Sequence, residues 1–197
     1  MEDKRGSHPP FALFILSDKI TVEYINKLLQ RVADDNYGVF CLTLVQTTDP
    51  SDPYDCAPDE VRIVEDGRES IISTDGTRPP IPDSFVSPFI GKSLEECAEF
   101  LRRTPDKKDW NREHFCVLGD DDVRDDTVTL VRGLDNGRVH AYPETVELTG
   151  SSMFTMWTGN SFEEKLQMYQ AGVEEHPEKD RSVGKAFEYV KYDDEES

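Results

Sequence analysis

Hydrophobic and polar positions follow one another along the chain in an order that predicts an α/β fold. Short apolar runs typical of buried strands occur at residues 11–16, 39–46 and 114–118. After the first run the apolar spacing becomes helical, from Val22 to Val32, and Thr21 is placed to cap that helix. Strand, helix and strand within about 35 residues predict a βαβ unit, so we expect the first two strands to be parallel.

Four further segments complete the predicted fold. Residues 61–74 and 127–142 each hold two β-rich runs around a turn rich in Asp, Asn and Gly, which is the pattern of a hairpin. Residues 93–103 and 161–173 carry an apolar stripe at helical spacing, and each opens with a Ser-x-x-Glu capping box. We therefore expect a single mixed sheet with two or three helices packed on it, in which the βαβ unit is followed by hairpins.

The same pattern sets the expected domain organisation. Residues 10–173 form one α/β domain, with a flexible N-terminus at 1–10 and an acidic C-terminal tail at 174–197. Prolines near 47–60 and 75–90 predict two insertions on a simpler core. No repeat period is visible along the sequence.

Composition narrows the class of partner. The chain has 41 Asp and Glu residues against 22 Lys and Arg residues, which gives a formal net charge of −19 at pH 7. Such a chain repels nucleic-acid phosphates and anionic lipid, so we expect no nucleic acid and no membrane as a direct partner. The charge either serves solubility alone or forms a surface for a basic protein partner or for cations.

The cysteines and the first apolar run indicate the cellular compartment of the protein. Cys41, Cys56, Cys97 and Cys116 include no CxxC pair, so a zinc knuckle or redox motif is not expected. Two of them lie in strand-like runs, where a free thiol packs as a small hydrophobe and suits a reducing compartment. The run at 11–16 is too short for the core of a signal peptide. We expect a cytoplasmic protein, with the nucleus as the alternative.

The stretch GDDDVRDD at 119–126 places five aspartates between two strand-like runs. It fails the EF-hand pattern because, counted from Asp120, neither the sixth position is glycine nor the twelfth glutamate. Asp120, Asp122 and Asp125 are nevertheless candidate ligands of Ca²⁺ or Mg²⁺, if they converge at a strand end. The alternatives are a solvated turn and a docking surface for a protein.

Catalytic signatures in the chain are incomplete. IGKS at 90–93 resembles the end of a phosphate loop but lacks that loop's first glycine. TGNSF at 158–162 lacks the second glycine of a nucleophile elbow. His114, His140 and Cys116 lie in predicted strands, so a joint metal site is the alternative to ordinary strand-edge histidines.

A cluster of large apolar residues precedes the last predicted helix. Met and Trp side chains make an adaptable contact surface of large area, for a partner or a small apolar ligand. The cluster is therefore the candidate binding patch, and the alternative is that its members are core residues. The candidate binding residues are Met153, Phe154, Met156 and Trp157.

The second half of the chain has a distinctive order of residue types. A strand with an acidic turn (FCVLGDDDVRDD) precedes a hairpin with an apolar first arm (TVTLVRG) and an arginine-containing second arm (GRVHAYP), and an apolar segment leads to a helix that opens with SFEE. In this order, residues 112–170 resemble a family of small uncharacterised α/β domains of unknown function from bacteria and fungi. The resemblance implies a strand-rich sheet covered by helices, and it transfers no functional residue.

These patterns favour a non-enzymatic binding or regulatory module for a protein partner, without a cofactor. The grounds are the incomplete catalytic signatures together with the acidic surface and the apolar cluster. Whether the protein is an enzyme stays open, because residues distant in sequence can assemble a site. The alternative is an enzyme with a divalent-cation site around the 119–126 turn, formed by Asp120, Asp122, His114 and His140. A third interpretation is a structural subunit of an obligate oligomer.

Overall fold

The computed structural model of the chain describes residues 11–36, 39–51, 61–65, 68–72, 76–104, 111–157 and 162–180, with the backbone alone for 61–65 and 68–72. The strands in these ranges are β1 (Phe11–Ile15), β2 (Leu42–Leu44), β3 (Val61–Glu65), β4 (Arg68–Ile72), β5 (His114–Leu118), β6 (Thr127–Gly133) and β7 (Val139–Thr145). The helices are α1 (Val22–Asp35), α2 (Leu94–Arg102), α3 (Asp120–Asp125), α4 (Val146–Trp157) and α5 (Phe162–Glu175). A 3-10 helix at Pro177–Lys179 follows α5.

The architecture is one mixed five-stranded sheet with helices packed on it, which confirms the predicted fold class. The strand order is β2-β1-β5-β6-β7, and β3 and β4 form a separate two-stranded ribbon. β1 pairs in parallel with β2, as the βαβ pattern predicted, and also with β5. β5, β6 and β7 are antiparallel, and both predicted hairpins are present. The turn of the first hairpin, Asp66 and Gly67, lies outside the described residues.

Helices cover both faces of the sheet, so all five residues of β1 are buried. The first face packs against α1, α4 and α5. Leu13, Cys116, Leu130 and Tyr142 form a row across four strands on this face, in direct register with one another. The second face packs against α2. The sheet is therefore the middle layer of three layers, and its ends carry the polar loops.

The core beneath α2 is organised around Phe14. Its ring meets those of Phe89, Phe100 and Phe115 edge-on, with centroid separations of 4.7, 5.9 and 5.5 Å. Such pairs contribute about 1 kcal/mol each beyond burial of their area. Phe89 belongs to the proline-rich segment 75–90, which the sequence placed outside the core. This segment is therefore partly a structural element of the domain.

The described part of that segment also runs along the β2 edge. The Thr77 N–H donates to the Leu42 carbonyl at 2.8 Å. Just before it, a Cβ at Gly76 would lie 2.3 Å from the carbonyl oxygen of Phe40. Only glycine allows the two backbones to approach so closely. The segment thereby covers the outer edge of the sheet.

The predicted starts of α1 and α2 are confirmed. The Thr21 hydroxyl accepts the N–H of Tyr24 at 3.2 Å. Ser93 accepts the N–H of Glu96 at 3.2 Å, and the Glu96 carboxylate accepts the Ser93 N–H at 2.8 Å. Each bond satisfies an N–H that has no partner within the helix. Ser161, the predicted cap of α5, lies outside the described residues.

Two helices, α3 and α4, were not predicted from the sequence. α3 occupies the stretch expected to be a polar turn. α4 contains Thr, Gly and Ser, which are weak helix formers, and it packs tightly on α1. A Cβ at Gly150 would come within 2.8 Å of the Asn36 Cβ, which shows how closely the two helices approach. Tertiary packing stabilises α4 where intrinsic propensity is low.

Candidate functional site

The aspartate side chains of GDDDVRDD point in several directions, and that of Asp122 has a structural role. Asp122 is 3% exposed. Its carboxylate accepts the Gly119 N–H at 2.8 Å, which closes the first turn of α3. Its other oxygen accepts the hydroxyls of Thr127 and Thr129 at 3.1 and 2.9 Å. Asp122 therefore joins the start of α3 to β6, and both of its oxygens accept hydrogen bonds from the protein.

Asp126 anchors the end of α3 to two other helices. It adopts a left-handed conformation with φ of 56°, which aspartate tolerates better than most residues. Arg31 of α1 makes a two-pronged contact with its carboxylate at 2.7 and 2.8 Å, and the same guanidinium binds Glu147 of α4. This hydrogen bond from Arg31 lowers the pKa of Asp126. The group is a surface ion-pair network.

Asp120 lies where two neighbouring parallel strands end. The Ser17 hydroxyl and the Lys19 ammonium, both from the loop after β1, donate to its carboxylate. The hydrogen bond to Asp120 raises the pKa of Lys19. In open α/β sheets this edge is where ligands commonly bind. Here an ion pair joins the two loops across that edge.

Asp121 and Asp125 flank the guanidinium of Arg124 on the outer side of α3. Arg124 donates to Asp121 at 2.7 Å and to Asp125 at 2.8 Å. Among the residues that the structure describes, no group of three or more His, Cys, Asp or Glu side chains is arranged to hold a metal ion. The predicted Ca²⁺ or Mg²⁺ site at Asp120, Asp122 and Asp125 therefore has no support in this geometry and stays a prediction.

The outer side of α3 forms one wall of a cavity of about 730 Å³. The opposite wall comes from the 3-10 helix after α5. We call this cavity the acidic cleft, because four carboxylates and two cationic groups line it, a formal charge of −2. These six residues are Asp121, Arg124, Asp125, Glu178, Lys179 and Asp180.

Tyr169 and Pro143 add an apolar surface to the acidic cleft. Tyr169 is half-buried, and its hydroxyl donates to the Lys179 carbonyl at 3.3 Å. This bond holds the segment after α5 against the helix. The volume of the cleft falls within the range of about 300–1,000 Å³ that is usual for ligand pockets. Carboxylates beside an aromatic face suit a cationic ligand group.

The predicted binding patch divides between core and surface. Met153 and Met156 are 0% and 4% exposed and belong to the core beneath α4. They do so because they lie on the face of α4 that packs on the sheet, so they offer no contact surface. Phe154 is 41% exposed. Trp157 is the last residue of α4, and its side chain lies outside the described residues.

The histidines do not join the aspartates. His114 begins β5 and Asp120 follows its end, so the two lie about 20 Å apart along the strand. His114 and His140 both face Arg132, which lies between them on β6. Burial, more than any charge, lowers the pKa of His114 to about 4. A cation site formed by Asp120, Asp122, His114 and His140 is therefore not supported. In the alternative metal site with Cys116, Arg132 lies between the two histidines.

A buried polar cluster beneath α5 was missed by sequence reasoning. The Ser152 hydroxyl donates to the Glu144 carboxylate at 2.8 Å, and the Lys165 ammonium binds both groups. Ser152 is 1% exposed and Glu144 is 9% exposed. The three residues come from α4, β7 and α5, so no local spacing reveals them. The cluster fastens α4 and α5 to the sheet.

Comparison with other proteins gives no match: no protein-family model, no curated protein and no solved structure matches the chain. The resemblance over residues 112–170 stays a prediction. In the described part of the chain, no helix is long and apolar enough to cross a membrane.

Proposed function

We propose that the protein is a binding module that captures a basic segment of a protein partner in the acidic cleft. The observation that carries this proposal is the lining of the cleft, where four carboxylates surround one cavity. Arg124 is the cationic residue that α3 contributes to the lining, and Asp121 and Asp125 neutralise it. Lysine or arginine side chains of a partner would meet the remaining negative charge.

The charge of the whole chain supports the same class of partner. At a net charge of −19, the protein attracts basic molecules from a distance and accelerates their encounter. The acidic cleft offers a cationic group a defined binding position, which a charge spread over the whole surface does not. The Tyr169 ring at its wall can stack against a guanidinium or an ammonium group.

The location that we propose is the cytoplasm, with the nucleus as the alternative. The described cysteines Cys41, Cys97 and Cys116 are buried free thiols. Burial raises the pKa of Cys41 to about 12, so this thiol stays protonated and unreactive. Buried free thiols are typical of a reducing compartment.

A peptide titration tests the proposal. A short peptide of alternating lysine and glycine should bind saturably, and the matching glutamate peptide should not. Replacing both Asp121→Asn and Asp125→Asn should weaken lysine-peptide binding about tenfold, because it removes two carboxylates and leaves Arg124 uncompensated in the cleft. Fluorescence anisotropy of the labelled peptide measures the change.

The matched control changes the same charge elsewhere. Asp34→Asn with Asp35→Asn, at the exposed end of α1, should leave the affinity within about twofold. Arg124→Gln should tighten binding, because a cation leaves the cleft. Equal losses in both double variants would show that the peptide responds only to net charge, and the cleft would not be the site.

A further inference from the structure

The sequence that follows Asp180 has a charge opposite to that of the acidic cleft. Residues 181–192, RSVGKAFEYVKY, hold three cationic residues and one acid, which gives a formal charge of +2. We call them the cationic segment. The chain as a whole carries −19, so the segment is a local reversal of charge. Its lysine and arginine residues are of the kind that the proposed function assigns to a partner.

Covalent attachment fixes the start of the cationic segment at the acidic cleft. Residues 178–180 line the cleft, and Asp180 is the last residue that the structure describes. The Tyr169 hydroxyl donates to the Lys179 carbonyl at 3.3 Å, and the Asp180 N–H bonds back to the 3-10 helix at 3.1 Å. These bonds hold Asp180 at the cleft wall. Arg181 follows within one peptide unit, about 3.8 Å between Cα atoms.

The cationic segment is long enough to reach every part of the cleft. Its twelve residues span up to about 40 Å when extended. A short segment attached beside its own site meets that site at an effective concentration on the order of millimolar. A dissociation constant of about 1 mM would then leave the cleft about half occupied. Modest affinity for the cationic segment is therefore sufficient.

The side chains of the cationic segment match the lining of the cleft. Arg181 and Lys185 are its cations nearest in sequence to the cleft, and both groups pair with carboxylates. Either one can also stack on the ring of Tyr169. Aromatic side chains of the segment can pack on the apolar surface that Tyr169 and Pro143 provide. These aromatic residues are Phe187, Tyr189 and Tyr192.

Four acids at 193–196 follow the cationic segment and oppose its attraction to the cleft. With them, residues 181–197 carry a formal charge of −2. The first of these acids, Asp193, follows Lys185 by eight residues. That length of chain can exceed the Debye length of about 8 Å at physiological salt, beyond which charges are largely screened. The acids therefore weaken the hold of the cationic segment without cancelling it.

A second basic stretch is attached at the opposite end of the sheet. Residues 102–112 hold five cationic residues and two acids. They connect the end of α2 to the segment before β5. The acidic cleft lies beyond the other end of β5, where α3 follows that strand. Residues 181–192 are therefore better placed to occupy the cleft.

We infer that the cationic segment, residues 181–192, occupies the acidic cleft of its own chain and competes there with the basic part of a protein partner. The inference rests on the proposed function, since it requires that the cleft bind cationic groups. A partner binds only the molecules in which the cleft is open. Its apparent dissociation constant is therefore the intrinsic one divided by the open fraction.

Cross-linking in the full chain tests where the cationic segment lies. A water-soluble carbodiimide joins a lysine ammonium to a carboxylate in contact with it, and mass spectrometry of the digest identifies the pair. We expect Lys185 joined to Asp121 or Asp125. The pair Lys27 and Glu23, 2.8 Å apart, is the internal standard. Formation of the standard without a Lys185 cross-link to the cleft would overturn the inference.

Isotope mixing separates the segment of the same chain from that of a second copy. Equal amounts of ¹⁵N-labelled and unlabelled protein are combined before cross-linking. Occupation within one chain predicts that both halves of each Lys185 cross-link carry the same label. Cross-links that join labelled to unlabelled peptides in equal measure would show that a second copy supplies the segment, and they would overturn the inference.

Peptide binding measures the competition. Replacing Arg181→Gln and Lys185→Gln together in the full chain should tighten binding of the lysine–glycine peptide about fourfold, because the cleft is open in more molecules. The matched control is Lys27→Gln with Arg138→Gln, which removes the same charge from two exposed positions outside the cleft lining. The control should change the affinity less than twofold. Equal tightening by both double variants would reflect net charge alone and would overturn the inference.

The same substitutions in a second background separate this inference from the proposed function. With Asp121→Asn and Asp125→Asn already present, changing Arg181 and Lys185 should alter peptide affinity less than twofold, since the cationic segment has left the cleft. If the parent protein binds the peptide and the change at 181 and 185 leaves the affinity unaltered, the cleft binds partners without an internal competitor. The inference then fails and the proposed function stands. If neither the parent nor the variant at 181 and 185 binds the peptide, both fail.

Discussion

Two interpretations of residues 119–126 assign different roles to Asp122. As a cation ligand it would repel its neighbouring carboxylates when no cation is bound. As a structural residue it supplies the acceptors for the Gly119 N–H and the hydroxyls of Thr127 and Thr129. The two roles predict opposite effects on stability when its charge is removed.

We expect Asp122→Ala to destabilise the protein by about 2 to 4 kcal/mol, because three donors lose their acceptor in a buried place. Urea unfolding measures the difference. Asp125→Ala removes the same charge at the surface of α3 and should cost less than about 1 kcal/mol. A stabilised Asp122→Ala variant would instead identify carboxylate repulsion and restore the cation-site interpretation.

His114 gives the fold a specific pH dependence. Its folded-state pKa of about 4 lies below the ordinary 6.5, chiefly because of burial. The unfolded chain therefore binds a proton that the folded protein resists, and the free energy of unfolding falls as pH drops through that window. The loss is at most about 3 kcal/mol. The loss of unfolding free energy over a pH series should be smaller for His114→Gln than for the parent protein.

At the scale of elements, the sequence predicted those helices and strands that local residue patterns encode. Caps at Thr21 and Ser93 and apolar periodicity located α1 and α2, and the buried run at 11–16 located β1. α3 and α4 were missed because their helicity depends on distant partners. Asp122 attaches α3 to two threonines of β6, and Gly150 lets α4 approach α1.

The attachment of α5 is a second element-scale feature that sequence spacing does not show. Only Phe162 and Leu166 are buried along this helix in its described residues. Polar contacts supply further anchorage, through Lys165 to Glu144 and through Glu163 to Arg132. The helix therefore depends on ion pairs more than its apolar stripe suggests.

Removing one partner tests that dependence. Lys165→Met would leave the buried Glu144 without its cation, and we expect a loss of about 2 to 3 kcal/mol in urea unfolding. Adding Glu144→Gln should restore part of the loss, since the uncompensated charge disappears. Lys27→Met breaks an exposed pair with Glu23 and should cost less than about 0.5 kcal/mol.

At the scale of the whole molecule, part of the negative charge is gathered at a cavity. The lining of the acidic cleft carries a formal charge of −2. The sequence predicted a basic partner from net charge, but it could not locate the acidic cleft. The acidic cleft joins residues 121–125 to residues 178–180. Such pairings arise only from the tertiary fold.

Backbone amide NMR of the protein titrated with the lysine–glycine peptide tests whether the acidic cleft is the binding site. Saturating peptide should shift the amide signals of residues 121–125, 169 and 178–180, and leave those of residues 132–135 unchanged. Shifts spread evenly over the acidic surface, or gathered at another element such as α1, would contradict the acidic cleft as the binding site.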